Sequence, residues 1–156
     1  MSFSIIAAVA ENNVIGVKGG LPWNIPEDMK HFKKLTMGKT VLMGQNTWET
    51  LPEKFRPLPG RKNVVLTLLP EYPVPEDVEV YHSLEDAFAA HPEEVMVMGG
   101  ASIYRQTLPM ADKLYITHVH RSVDGDVTFP AIDPSLWKET SREDHGDFSF
   151  VTYERK

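Results

Sequence analysis

The chain has 156 residues, 42% of them hydrophobic and 24% charged, with a net charge of −6, which suits one compact domain spanning 1–156 with a real core. The acidic balance argues against general nucleic-acid binding, which needs a positive surface, but leaves room for an anionic small molecule held by a few local arginines. With no cysteine there is no disulfide, no thiol nucleophile and no cysteine-based zinc site, and no apolar run approaches the roughly 20 residues that cross a membrane.

In chain order, residues 4–9 read as a buried strand. The start MSFSIIAAVAEN shows neither the basic opening nor the small-residue cleavage site of a signal peptide, so a cytoplasmic monomer without membrane or nucleic-acid partners is expected. Residues 10–25 form the longest irregular segment, and loops of that length are usually functional. Pro26, a favoured first helical residue, introduces a helix over 27–35. A strand at 40–43, a short helix at 46–51 and a strand at 63–67 follow. Ser83 to Asp86 resembles a capping box opening a helix through Ala90. A strand at 94–98, a helix at 102–110 and a strand at 113–119 come next. These strands are rich in Val, Ile, Leu and Met with little alternation, as in a sheet covered on both faces. Residues 148–153 alternate better and suit an antiparallel strand near an edge. The class is α/β: a central, mostly parallel sheet with an antiparallel C-terminal strand and about four flanking helices.

Four local patterns carry chemistry. Asp28, Phe32 and Leu35 share one helical face, which puts a carboxylate on an apolar stripe. An acid in a first helical turn also complements the helix dipole, and spacing alone leaves both readings open. Met98-Gly99-Gly100-Ala101-Ser102-Ile103-Tyr104 reads as strand, glycine pair, helix, where backbone can approach a ligand and free N–H groups can meet a phosphate. It is not GxGxxG. Met43-Gly44-Gln45-Asn46-Thr47-Trp48 repeats the theme, and two such junctions suit a diphosphate dinucleotide. Arg56 and Arg61 flank the turn Pro57-Leu58-Pro59-Gly60, where an arginine can grip a carboxylate or simply be solvated. His118 and His120 share a strand face, with Asp124 and Asp126 following, but no third ligand has clear metal-site spacing, so no metal is expected. No GxSxG nucleophile pattern is present.

The order and spacing of these segments identify a resemblance. Val14-Ile15-Gly16 with Leu21-Pro22-Trp23-Asn24-Ile25-Pro26-Glu27-Asp28 is followed by Met43-Gly44, Thr47-Trp48-Glu49 and Pro57-Leu58-Pro59-Gly60-Arg61. Then come Gly99-Gly100 with Tyr104, Thr117-His118, and Gly125-Asp126 leading to Phe129-Pro130. From Ile5 to about Pro130 the chain resembles the dihydrofolate reductase family. The resemblance implies hydride transfer from NADPH to C6 of dihydrofolate with protonation of N5. It implies that Asp28 holds the pterin 2-amino group and N3, supported by Trp23 and Thr117, while Ile6, Ala8, Met29, Phe32, Leu51, Leu58 and Met98 wall the pterin and benzoyl rings. Arg61 would pair with the substrate's α-carboxylate, and Arg56 would lie beside its tail. Ala8, Ile15, Gly16, Leu21, Met98 and Tyr104 would meet the nicotinamide end. Gly44, Gln45, Asn46, Thr47, Leu66, Thr67, His82, Gly99, Gly100, Ala101, Ser102 and Ile103 would meet the diphosphate and adenosine. Residues 16–23 would form a loop closing over the site. Antifolates of the trimethoprim and methotrexate type are implied ligands.

The family often carries a basic residue where Gln45 stands, and sometimes an arginine where Ser102 stands. Thr67-Leu68-Leu69 likewise lacks charge. A reduced preference for NADPH over NADH is therefore expected, strengthened at low pH if His82 contributes. Two competing readings are a pyrimidine reductase of riboflavin synthesis and a folate-binding or nucleotide-binding module without turnover. The pairing of Pro22-Trp23 with Asp28 resembles pterin recognition and speaks against the first.

Overall fold

The computed structural model describes residues 2–16, 25–125 and 127–156. In chain order the elements are β1 (Phe3–Ala10), β2 (Val14–Gly16), α1 (Pro26–Thr36), β3 (Thr40–Gly44), α2 (Gln45–Thr50), β4 (Lys62–Leu66), β5 (Glu79–Tyr81), α3 (Leu84–Ala90), β6 (Val95–Val97), α4 (Ala101–Thr107), β7 (Lys113–Val119), β8 (Val127–Thr128), β9 (Trp137–Asp144) and β10 (Phe148–Arg155). A 3-10 turn, Leu108–Met110, prolongs α4. Local chemistry sets the helix ends. Pro26 opens α1, Glu27 and Asp28 lie in its first turn and Lys33 and Lys34 in its last, as the helix dipole favours. The Ser83 hydroxyl caps α3 by accepting the Asp86 N–H at 3.1 Å.

Eight strands form one sheet in the order β5-β4-β3-β6-β1-β7-β10-β9, while β2 and β8 pair apart from it. Pairings from β5 to β7 are parallel and the last two antiparallel, which is the expected α/β class. The C-terminal strand β10 is antiparallel and lies one strand in from the edge, as expected, the edge itself being a further strand, β9. The β9 sequence WKETSRED buries only Trp137, so it carries no alternation to read, and its charges suit an exposed edge. The segment 10–25 is not wholly irregular, because it contains β2.

Successive β1 residues serve opposite faces. Phe3, Ile5, Ala7 and Val9 pack with Leu42, Val97, Ile116 and residues of α3 and α4. Ile6 packs with Val41, Met43, Trp48 and Met96 and with the half-buried Phe32 and Leu35 of α1. Both faces are thus covered, which explains the unbroken apolar runs. From β3 the chain moves outward through α2 to β4, whereas from β6 it crosses through α4 to β7. β3 and β6 are neighbours, so a crevice opens between their carboxyl ends, where open α/β sheets bind ligands.

Candidate active site

α1 lies against the sheet face that carries Ile6 and brings Asp28 to β7. The Thr117 hydroxyl donates to Asp28 Oδ1 at 2.6 Å. Burial raises the Asp28 carboxyl above its ordinary range, opposed by the Thr117 bond and by the nearby His31. Thr117 is in register with Ala8 of β1 and Phe150 of β10. His31, also on α1, stacks on Phe150 with ring centroids 3.8 Å apart, and burial lowers its pKa against the pull of Asp28. Sequence reasoning missed His31 and Phe150. Its position three residues after Asp28 could have flagged His31, whereas Phe150 needed the strand register.

Ile6 and Leu58 are buried, and Phe32, Leu51 and Met98 are half-buried, all in or against one apolar cluster. Ala8 packs against Ala10, Val14 and Val119. Met29 is 57% exposed and so stands outside this packed wall. Arg56 Nη2 donates to the carbonyls of Glu49 and Leu51 at 2.7 and 2.8 Å, while its buried Nε has no hydrogen-bond partner among the described residues. Arg61 donates to the Pro59 carbonyl at 2.9 Å and the Thr36 hydroxyl at 3.1 Å. Between them Gly60 has φ +75°, and a Cβ there would collide with the Met37 sulfur. Leu21 and Trp23 lie outside the described residues, as does the rest of the expected closing loop after Gly16.

Across Ile6 and Met98 lies the crevice. The Gly44 N–H donates to the Gly99 carbonyl at 2.8 Å, joining the ends of β3 and β6. Gly99 has φ +120°, and a Cβ on it would stand 3.3 Å from the Tyr104 hydroxyl. A Cβ on Gly44 would stand 3.3 Å from Ile103 Cγ1, and one on Gly100 3.4 Å from Thr47 Oγ1. Gly44, Thr47, Gly99, Gly100, Ile103 and Tyr104 therefore line one cradle that added side chains would fill, as close backbone approach to a dinucleotide requires. The buried Tyr104 hydroxyl donates to the Ile6 carbonyl at 2.8 Å, linking the cradle to the Asp28 pocket, and burial pushes its pKa up. Ala101 and the exposed Ser102 open α4, and Asn46 is exposed in α2. Ile15 packs on the main core, and Gly16 pairs with Val127. At the outer end, Leu66 closes β4, Thr67 donates to Gln45 Oε1 at 2.5 Å, and His82 Nδ1 lies 2.9 Å from the Thr67 carbonyl.

Elsewhere, His118 Nε2 lies 2.8 Å from the Tyr153 hydroxyl, and His120 Nε2 lies 2.7 Å from the Ser149 hydroxyl. Among the described residues no three His, Asp or Glu side chains are grouped to hold a metal, and no helix is long and apolar enough to cross a membrane.

A mostly parallel sheet with a glycine cradle at its switch point, and a half-buried carboxylate against an apolar wall nearby, suits an enzyme that holds a dinucleotide beside a small ring. The family model described as dihydrofolate reductase matches residues 2–155. The dihydrofolate reductase of Neisseria meningitidis serogroup A is 46% identical, covering 99% of each chain. That of Bacillus subtilis is 40% identical, covering 98% of this chain and 94% of its own. The solved structure of dihydrofolate reductase from Enterococcus faecalis, complexed with NADP(H) and RAB-propyl, superposes with a TM-score of 0.89 at 34% identity, covering 99% of this chain and 96% of that one. The chain belongs to the dihydrofolate reductase family: it reduces dihydrofolate to tetrahydrofolate with NADPH.

Proposed function

We propose that Asp28 is the group that holds the pterin ring and readies it for reduction. The observation that carries this is the Thr117–Asp28 hydrogen bond, which fixes a half-buried carboxylate on an apolar wall. With Oδ1 supplied by Thr117, the carboxylate presents its other oxygen to a pair of donors, and the pterin 2-amino group and N3 form such a pair. Its charge favours the protonated ring. N5 lies on the other side of the ring from that edge, so the proton reaches it through water and not from Asp28. Ile6, Phe32, Leu51, Leu58 and Met98 enclose the ring and benzoyl group, and Arg61 pairs with the α-carboxylate of the tail. NADPH, when bound, supplies the hydride delivered to C6. Gly44, Thr47, Gly99 and Gly100 hold its diphosphate region, Gln45, Thr67 and His82 face its adenosine, and Ala8, Ile15 and Tyr104 orient the nicotinamide end.

A diaminopyrimidine antifolate offers Asp28 the same donors, so inhibitors of the trimethoprim and methotrexate type bind the same pocket. The protein acts as a cytoplasmic monomer. Asp28→Asn should weaken a diaminopyrimidine antifolate by about a hundredfold or more, because a desolvated charge pair is lost. Isothermal titration with the inhibitor measures this, and an unchanged affinity overturns the assignment.

A further inference from the structure

On α1, His31 follows Asp28 by one helical turn, where side chains are neighbours. Its ring lies almost parallel to that of Phe150 on β10, with 10° between planes and 3.8 Å between centroids. Phe150 is in register with Thr117 of β7, whose hydroxyl donates to Asp28 Oδ1 at 2.6 Å. One closed circuit of contacts, from helix to sheet and back, thus fixes the imidazole beside the carboxylate. On the other neighbouring strand Phe150 is in register with Glu143 of β9. His145, in the turn that joins β9 to β10, meets Phe150 edge-on with centroids 5.1 Å apart, and its Nε2 lies 3.3 Å from Glu143 Oε1. The charged and titratable groups facing His31 are therefore Asp28 and Lys34 of α1, Glu143 of β9 and His145 of the turn. Burial is the strongest influence and opposes a proton on His31. Asp28 and Glu143 favour one, while Lys34 and His145 oppose it. Burial also drives Asp28 towards its uncharged form as pH falls. Over the same fall His31 gains a positive charge. The two groups share one titration, and their attraction favours the form that carries both charges.

We infer that His31 is a positioning residue for the reaction: stacked on Phe150 at the flank of the pocket, it takes up a positive charge in acid and keeps the Asp28 carboxylate ionised there, so that the anion holding the pterin persists where burial alone would discharge it. The inference rests on the reading of Asp28 as the pterin anchor. Two variants separate charge from packing. His31→Tyr keeps an aromatic ring for Phe150 and removes the charge, whereas His31→Lys keeps a charge and removes the stack. The Asp28 carboxyl carbon is followed across pH by NMR of the whole chain carrying carboxyl-labelled aspartate, with Asp28→Asn identifying its signal. Its titration midpoint should lie about half a pH unit or more higher in His31→Tyr than in the unaltered protein, and lower in His31→Lys. Isothermal titration with a diaminopyrimidine antifolate, over the same pH range, should show affinity falling where Asp28 discharges. Near that midpoint His31→Tyr should bind about threefold or more weakly than the unaltered protein, the fold-change that half a pH unit represents. Midpoints unmoved in both variants, or displaced in the same direction in both, overturn the inference and leave Asp28 as the anchor. Midpoints that move as expected while inhibitor affinity does not follow them overturn the anchor reading, and with it the part of His31 in the reaction.

Discussion

Asp28 is less stable in its ionised form inside the fold than in water, since burial raises its pKa. A carboxyl raised above its unfolded value contributes stability below that value and loses it as pH rises through the folded value. At neutral pH the wild-type charge is therefore a cost, which an amide of the same shape removes while still accepting the Thr117 hydroxyl. Asp28→Asn should melt at a higher temperature than the wild type at pH 7, with the gap closing as pH falls into the ordinary aspartate range. Calorimetry measures this, and a lower melting temperature for the variant at pH 7 would contradict it. At this scale the sequence was informative where neighbours share a helix: Asp28 stood out against Phe32 and Leu35. Thr117 entered only through the family resemblance. The His31–Phe150 stack stayed hidden because the partners are far apart in the chain and no local spacing encodes their meeting.

His91 ties several elements together at the end of the sheet remote from the crevice. Its Nε2 meets Glu79 of β5 at 2.9 Å and its Nδ1 meets Glu93 at 2.7 Å. Glu93 also accepts from Thr40 of β3 at 2.8 Å, and Glu79 pairs with Lys62 of β4 at 2.9 Å. Burial opposes the charge on His91, but the two carboxylates outweigh it and its pKa is raised. A raised histidine gives its full stabilisation below the unfolded value of about 6.5 and loses it as pH climbs through the folded value. The denaturant midpoint should accordingly fall as pH rises above about 6.5, and His91→Gln should flatten that fall. An equal slope in the variant would contradict the role. Ser83→Ala removes the cap of α3 and should cost about 1 kcal/mol in the same experiment. The buried parallel strands were legible as apolar runs, and α1 and α3 from their opening residues. β9 was not, because only Trp137 of its eight residues is buried. β2 and β8, of three and two residues, are too short to show a period.

Across the whole molecule, the decisive feature is the insertion of β6 between β3 and β1, which creates the switch point and sets the cradle beside the Asp28 pocket. Strand alternation with helices announces the α/β class, but strand order is fixed by long-range pairing that composition does not carry, so the junctions at Gly44 and Gly99 could be listed from sequence without being placed side by side. Function gathers at the carboxyl ends of the strands and the His91 network at their amino ends, so Asp28→Asn and His91→Gln should change stability additively. The measurement closest to the centre of this account is the single-turnover rate of hydride transfer from NADPH to dihydrofolate, followed by stopped-flow fluorescence across pH. Asp28→Asn should slow that step by about 10² to 10⁴-fold at neutral pH, with partial recovery in acid, where solvent protonates the substrate unaided. A rate within a few-fold of the wild type at neutral pH would contradict the assignment of Asp28.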